Sequence, residues 1–256
     1  YGDHRDLHLS LRRQRQMCIR DSVVFMETLQ YNLFDIIVDA EFAEANGITE
    51  GMGWQETMEA LDCTNVGVVA RNAAAEDLAR ILIQAAGLDE ECFTYVAVGL
   101  QPLPGLESGD TDWTVTFDPF QVVAVGTGAG INPFSVQRGE GPPGLDWPGL
   151  VYMTGKDTFD SKQAELCAYK SGTIEAIEFL ADPANADRNA EIAKTRLAEA
   201  LHPLVPALIE KYQNAFSLTG DISYDQIETI SQISLDVGKT TRLYSGDEVA
   251  ADLSCE

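Results

Sequence analysis

Between Thr64 and Val98 the chain alternates in a way that few folds accommodate. Thr64-Asn65-Val66-Gly67-Val68-Val69 is a short apolar run of the kind buried on both faces of a sheet. Asn72 is placed to cap a helix from Ala73 to Ala86, which carries Leu78, Ile81, Leu82 and Ala85 on one face and meets a terminating glycine at Gly87. Phe93 to Val98 then reads as a second strand. Strand, helix and strand within so short a span form a βαβ unit, which requires parallel pairing and a right-handed crossover.

The flanking sequence extends this unit into an α/β fold. Phe34 to Asp39 reads as a strand, Ala40 to Asn46 as a short helix closed by Gly47, Trp54 to Leu61 as a second helix, and Trp113 to Phe117 as a further strand. The Gly- and Pro-rich stretch from Gly126 to Gly149 reads as a loop. Its GTGAG sequence lacks the spacing of a dinucleotide fingerprint, and no helical pattern follows it. Leu150 to Thr154 is a strand again. From Ser161 the pattern is helical, through Ile174–Leu180, Ala186–Leu201, Pro203–Phe216 and Tyr224–Val237.

Composition bounds the function. With 17 Lys and Arg against 41 Asp and Glu, the formal charge of −24 repels phosphate backbones, so nucleic acid is not an expected partner. No run approaches the roughly 20 apolar residues of a membrane-spanning helix. Residues 1–22 differ from the remainder: they hold Arg5, Arg12, Arg13, Arg15, Arg20, His4 and His8 and present no face for a core. Met17-Cys18-Ile19-Arg20-Asp21 resembles the translation of a sequencing-library adapter, so this segment is read as a non-native leader.

The segments FDIIVDAEFAEANGIT, TNVGVVARNAAAEDLARILIQAAGLDEECFTYVAVG, DTDWTVTFDPF and GLVYMTGKDTF together resemble the nitrate/sulfonate/taurine/thiamine-precursor group of ABC-importer solute-binding proteins over roughly residues 30–240. The resemblance implies a two-lobed, type II periplasmic-binding-protein architecture. On that reading residues 23–38 are a remnant of lobe one and the first hinge strand, residues 39–150 form lobe two, and residues 151–256 form the second hinge strand and a helical return to lobe one. The crossing strands are expected near Ile36–Val38 and Val151–Met153. The strands and helix with which the family's first lobe begins have no counterpart here, so that lobe is expected to be incomplete. The family's Gly/Ser/Thr at the helix start is replaced by Arg71-Asn72-Ala73.

The implied function is capture, without chemistry, of a small anionic or zwitterionic solute of the sulfonate, nitrate, taurine or pyrimidine class. The implied partners are a permease and an ATPase, the implied location is extracytoplasmic, and a monomer without a cofactor is expected. Arg71, Asn72 and Ala73 are the first-choice ligand contacts, because a guanidinium and free helix-start N–H groups hold oxyanions well. Trp113, Asp118 and Phe120 offer an aromatic face and an acceptor for an amine or ring N–H. Tyr31 and Asn32 precede the first crossing.

Cysteines bear on the compartment. Cys63 and Cys92 each precede one strand of the βαβ unit, and neighbouring parallel strands start together, so the two can form a disulfide or stand as free thiols. No CxxC or zinc spacing is present. No HExxH, GxSxG or phosphate-loop sequence points to catalysis, and beyond the leader the sole histidine is His202, beside Pro203. The alternative is an enzyme on the same scaffold, like a thiamine-pyrimidine synthase or an aromatic sulfinate desulfinase.

Overall fold

The computed structural model describes residues 22–145 and 147–255; the leader read at residues 1–22 lies outside these except for Ser22. Among the described residues seven strands form two sheets: β1 (Ser22–Leu29), β2 (Asp35–Asp39), β3 (Asn65–Val68), β4 (Thr94–Ala97), β5 (Trp113–Thr116), β6 (Gly130–Ile131) and β7 (Leu150–Gly155). The larger sheet has the order β4-β3-β5-β2-β6, and β1 pairs with β7 in a separate antiparallel ribbon.

The βαβ unit is formed as expected, with β3 parallel to both β4 and β5. β2 runs antiparallel to β5 and to β6. Val66, Val68, Trp113 and Val115 on these strands are fully buried beneath Leu78, Ala79, Leu82 and Ile83 of the helix Ala74–Ala85. Burying each such aliphatic side chain contributes about 1.5–3 kcal/mol, which is why a 12-residue helix is stable here. Gly87, in the left-handed region at φ +73°, ends it.

The start of this helix differs from the expectation. Asn72 is itself left-handed, at φ +60°, and Ala73 is the N-cap, with no side-chain cap bond. The orphan N–H of Asn72 is satisfied instead by the carboxylate of Glu76, at 2.7 Å. A carboxylate in the first turn meets both the free amide and the positive end of the helix, which a side-chain amide does less well.

The crossings between the sheets also differ. All of β2 belongs to the larger sheet, and all of β7 to the ribbon. The chain therefore passes between lobes at residues 30–34 and 147–149, not at Ile36–Val38 and Val151–Met153. The two passages touch: the Gly149 amide donates to the Leu29 carbonyl at 2.9 Å. A Cβ at Gly149 would collide with the Tyr31 carbonyl and the Leu29 side chain, so the close approach requires glycine.

The helical return includes Gln163–Ala181, Ala186–Lys194, Val205–Tyr212 and Tyr224–Asp236. It closes one edge of β1: Ser217 N–H donates to Thr28 O at 2.7 Å, and Ala251 N–H to Val24 O at 3.0 Å. Phe25, Met26 and Phe159 form a second, smaller core there. Among the described residues β7 has no strand on its other side, and Leu150 and Met153 on it are exposed. Two disulfides are present among the described residues. Cys63–Cys92 joins the loops leading into β3 and β4, and Cys167–Cys255 ties the C-terminal segment to the long helix. No helix of the described residues is long and apolar enough to cross a membrane.

Candidate functional site: the interlobe cleft

In the larger sheet the C-terminal ends of the parallel strands β3, β4 and β5 lie on one edge, and the antiparallel β2 begins there, with Asp35 opposite Thr116 of β5. Clefts at such an edge are where open α/β sheets hold ligands, because strand ends and helix starts converge there. A cavity of about 750 Å³ opens at this edge. On its sheet side stand Asp35, Ile37, Asn132 and Arg138, with Gln121 and Val125 of the helix Phe120–Thr127. Its far wall is made by Leu204, Ala207 and Lys211 of the helical return.

Asp35 is almost wholly buried. Its Oδ2 accepts from the Ser135 hydroxyl at 2.5 Å, and its Oδ1 from the Val136 amide at 2.9 Å and its own chain's Ile36 amide at 3.1 Å. Burial pushes its carboxyl pKa up, against the opposing pull of these donors and of Lys211. Lys211 reaches across from the far wall. Its Nζ lies 2.5 Å from Asp118 Oδ2 and 2.9 Å from Gln121 Oε1. The neighbouring Tyr212 hydroxyl donates to the same Asp118 oxygen at 2.8 Å. Burial, then the Asp118 charge, raises the Tyr212 pKa, so this hydroxyl stays a donor. One buried carboxylate thus joins the two lobes through two side chains of one helix.

Four of the residues singled out from the sequence gather near this junction. Tyr31 feels the charge of Asp118, which, after burial, raises its pKa. Asn32, on the same crossing, is buried and accepts from the Phe34 amide at 2.9 Å, while its Nδ2 has no partner. Phe120 packs edge-on against Phe117 at 5.8 Å, and Phe117 against Phe34 at the same distance. Asp118 begins the turn into the helix Phe120–Thr127 and keeps its Oδ1 buried and unpaired.

The others lie elsewhere. Trp113 is fully buried at the opposite end of β5, its Nε1 donating to the Thr64 hydroxyl at 3.1 Å, so it is a core residue and does not face the cleft. Arg71 is held by Glu76 at 2.8 and 3.2 Å and covers the Tyr95 ring at 5.1 Å. Burial alone would raise the Glu76 pKa, but Arg71, the Asn72 amide and Arg80 overcome it and hold the carboxyl at about 2. The Asn72 carbonyl accepts from Lys239 at 2.9 Å, and neither Arg71, Asn72 nor Ala73 lines the cavity.

The residues missed by sequence reading are Asp35, Gln121, Arg138 and Lys211. The available signal was Asp35 itself, an acid heading a run of Ile-Ile-Val that must be buried. The Asp62–Cys63–Cys92 group has its sulfurs bonded to each other, which removes the thiolates a metal would need.

This two-lobed α/β arrangement, with a ligand-sized cleft at the strand ends and two touching crossings, is the periplasmic-binding-protein fold. Solved structures of similar shape include the ligand-binding component of an ABC-type import system from Staphylococcus aureus with zinc bound, at 12% identity and TM-score 0.65, covering 96% of this chain and 76% of that one. The periplasmic aliphatic sulphonate binding protein SsuA from Escherichia coli matches at 16% identity and TM-score 0.65, over 88% of this chain and 70% of its own. The desulfurization enzyme DSZB matches at 12% identity and TM-score 0.59, over 91% and 77%. No family model matches the chain, and no curated protein matches it.

Proposed function

We propose that this chain reversibly captures a small organic solute in the interlobe cleft, as the extracytoplasmic binding component of an ABC importer, and delivers it to a permease and ATPase. The observation that carries this reading is the cavity of about 750 Å³ whose two walls come from parts of the chain linked by just two touching passages, a geometry suited to hinge closure around a ligand. Two disulfides suit an oxidising compartment.

The cysteines and the histidine of the described residues are engaged elsewhere. The four cysteines of the described residues are in disulfides, and His202 Nε2 is turned to the Lys194 and Leu197 carbonyls at 3.0 and 3.3 Å. A thiol–imidazole nucleophile is therefore not assembled among the described residues. Tyr31, Asn32, Asp118 and Phe120 stand behind the cavity wall at the interlobe junction, where Asp118 holds Lys211, and Arg71, Asn72 and Ala73 lie away from it at the helix start next to Glu76.

Thermal unfolding with millimolar sulfonates, nitrate, taurine, pyrimidines and primary amines tests this. A ligand present at about 100 times its Kd stabilises the folded state by about 2.7 kcal/mol and raises Tm in step with the logarithm of its concentration. Chemical conversion of the stabilising compound, or no rise with any of them, contradicts solute capture.

A further inference from the structure

The cations around the cleft are already matched by the chain's own carboxylates. Lys211 lies against Asp118, and Arg138 binds Glu140 at 2.9 and 3.0 Å. Asp35 is met only by neutral donors, the Ser135 hydroxyl and two backbone amides, although it lines the cavity and is 3% exposed. Lys211 and Arg138 both act on it from a distance, but each has a nearer carboxylate. Asp35, Asp118 and Glu140 thus face two cations, and Glu50 at the rim adds a further negative charge.

The remainder of the lining is largely apolar: Ile37, Val122, Val125, Leu204 and Ala207. An anion seated there would have to take Lys211 or Arg138 from its partner and would leave a carboxylate without its counter-charge beside largely apolar side chains. An ammonium set against Asp35 would favour its ionised form, against the burial that favours the neutral one, and would be its counter-charge.

We infer that the cleft takes a solute carrying a protonated amine on a compact apolar body, with the ammonium set against Asp35 and the body against Val122, Val125 and Leu204. This rests on the solute-capture reading and sharpens its ligand class: a zwitterion is admitted through its amine, and a simple anion is not.

Calorimetric titration of the whole chain with 2-phenylethylamine, 2-phenylethanol, 3-phenylpropanoate and 2-phenylethanesulfonate tests the assignment. The amine binds, the alcohol binds about tenfold more weakly, and both anions bind more weakly still. Asp35→Asn lowers amine affinity by about thirtyfold, because the ammonium then lacks the buried carboxylate it is set against, leaving Glu50 at the exposed rim. Lys211→Gln keeps a hydrogen-bond donor for Asp118, removes one of the two repulsive charges lining the cavity and tightens amine binding.

Binding of either anion as tightly as the amine overturns the assignment and leaves solute capture standing. So does an unchanged amine affinity in folded Asp35→Asn. Silence of all four compounds also overturns it, with capture itself decided separately by the thermal screen. If Asp35→Asn does not fold, Lys211→Gln decides, and amine binding that is unchanged or weaker overturns the assignment.

Discussion

Replacing Trp113 by alanine is expected to lower the unfolding free energy by about 3–5 kcal/mol, read from denaturant midpoints. The indole is fully buried in the larger core, on a strand whose partners are Val38 of β2 and Val66 of β3. Truncation removes its transfer free energy and leaves a cavity that three hydrogen-bonded strands cannot collapse to fill. It also removes the donor to the Thr64 hydroxyl, which itself bonds the Leu61 carbonyl. Trp113→Phe keeps most of the volume and loses less. Had Trp113 been a ligand contact, Trp113→Ala would weaken binding with little loss of stability, so a change below about 1 kcal/mol contradicts its placement in the core.

Removal of the Cys167–Cys255 bond as the double alanine variant is expected to lower stability by about 2–4 kcal/mol. The two cysteines lie 88 residues apart in sequence, so the bond constrains the unfolded state across the whole helical return. Chain entropy alone gives about 4–5 kcal/mol for a loop of that length, an upper figure because unfolded chains keep some structure. The second core it ties down is small, so little else holds this region. The reduced wild-type protein should melt below both the oxidised form and the variant, since it has lost the Cys63–Cys92 bond as well. Equal stability of oxidised and reduced protein contradicts the pairing.

The parts of the fold that rest on local rules were legible in the sequence. The βαβ unit, the helix stop at Gly87 and the helices of the return follow from periodicity and glycine placement. The Phe120–Thr127 helix was not, because Val122-Val123-Ala124-Val125 is apolar on successive positions and gives no face to read. The bond between Cys167 and Cys255 was hidden for a different reason: spacing does not determine connectivity. The strand Ser22–Leu29 was passed over beside the unusual leader.

The site was less legible than the fold. Asp118 and Phe120 were singled out because a strand end followed by Asp-Pro and an aromatic marks a loop at the ligand-bearing edge; with Tyr31 they gather at the interlobe junction without lining the cavity. Arg71 was the first choice because nothing in the sequence shows that the carboxylate of Glu76 is buried and takes up both Arg71 and Arg80. Lys211 could not be found at all, since it meets Asp118 across 93 residues and a lobe boundary.

The central claim, that the interlobe cleft is where a solute is held, is tested most directly by calorimetry of a stabilising solute on the wild-type chain and on Val125→Trp. Val125 lines the cavity and is 41% exposed, so an indole there fills the cleft without entering a core. The account predicts one solute per chain in the wild type and a loss of affinity of about tenfold or more in the variant, at an unchanged Tm. Equal affinity in folded Val125→Trp would place the solute elsewhere and contradict it.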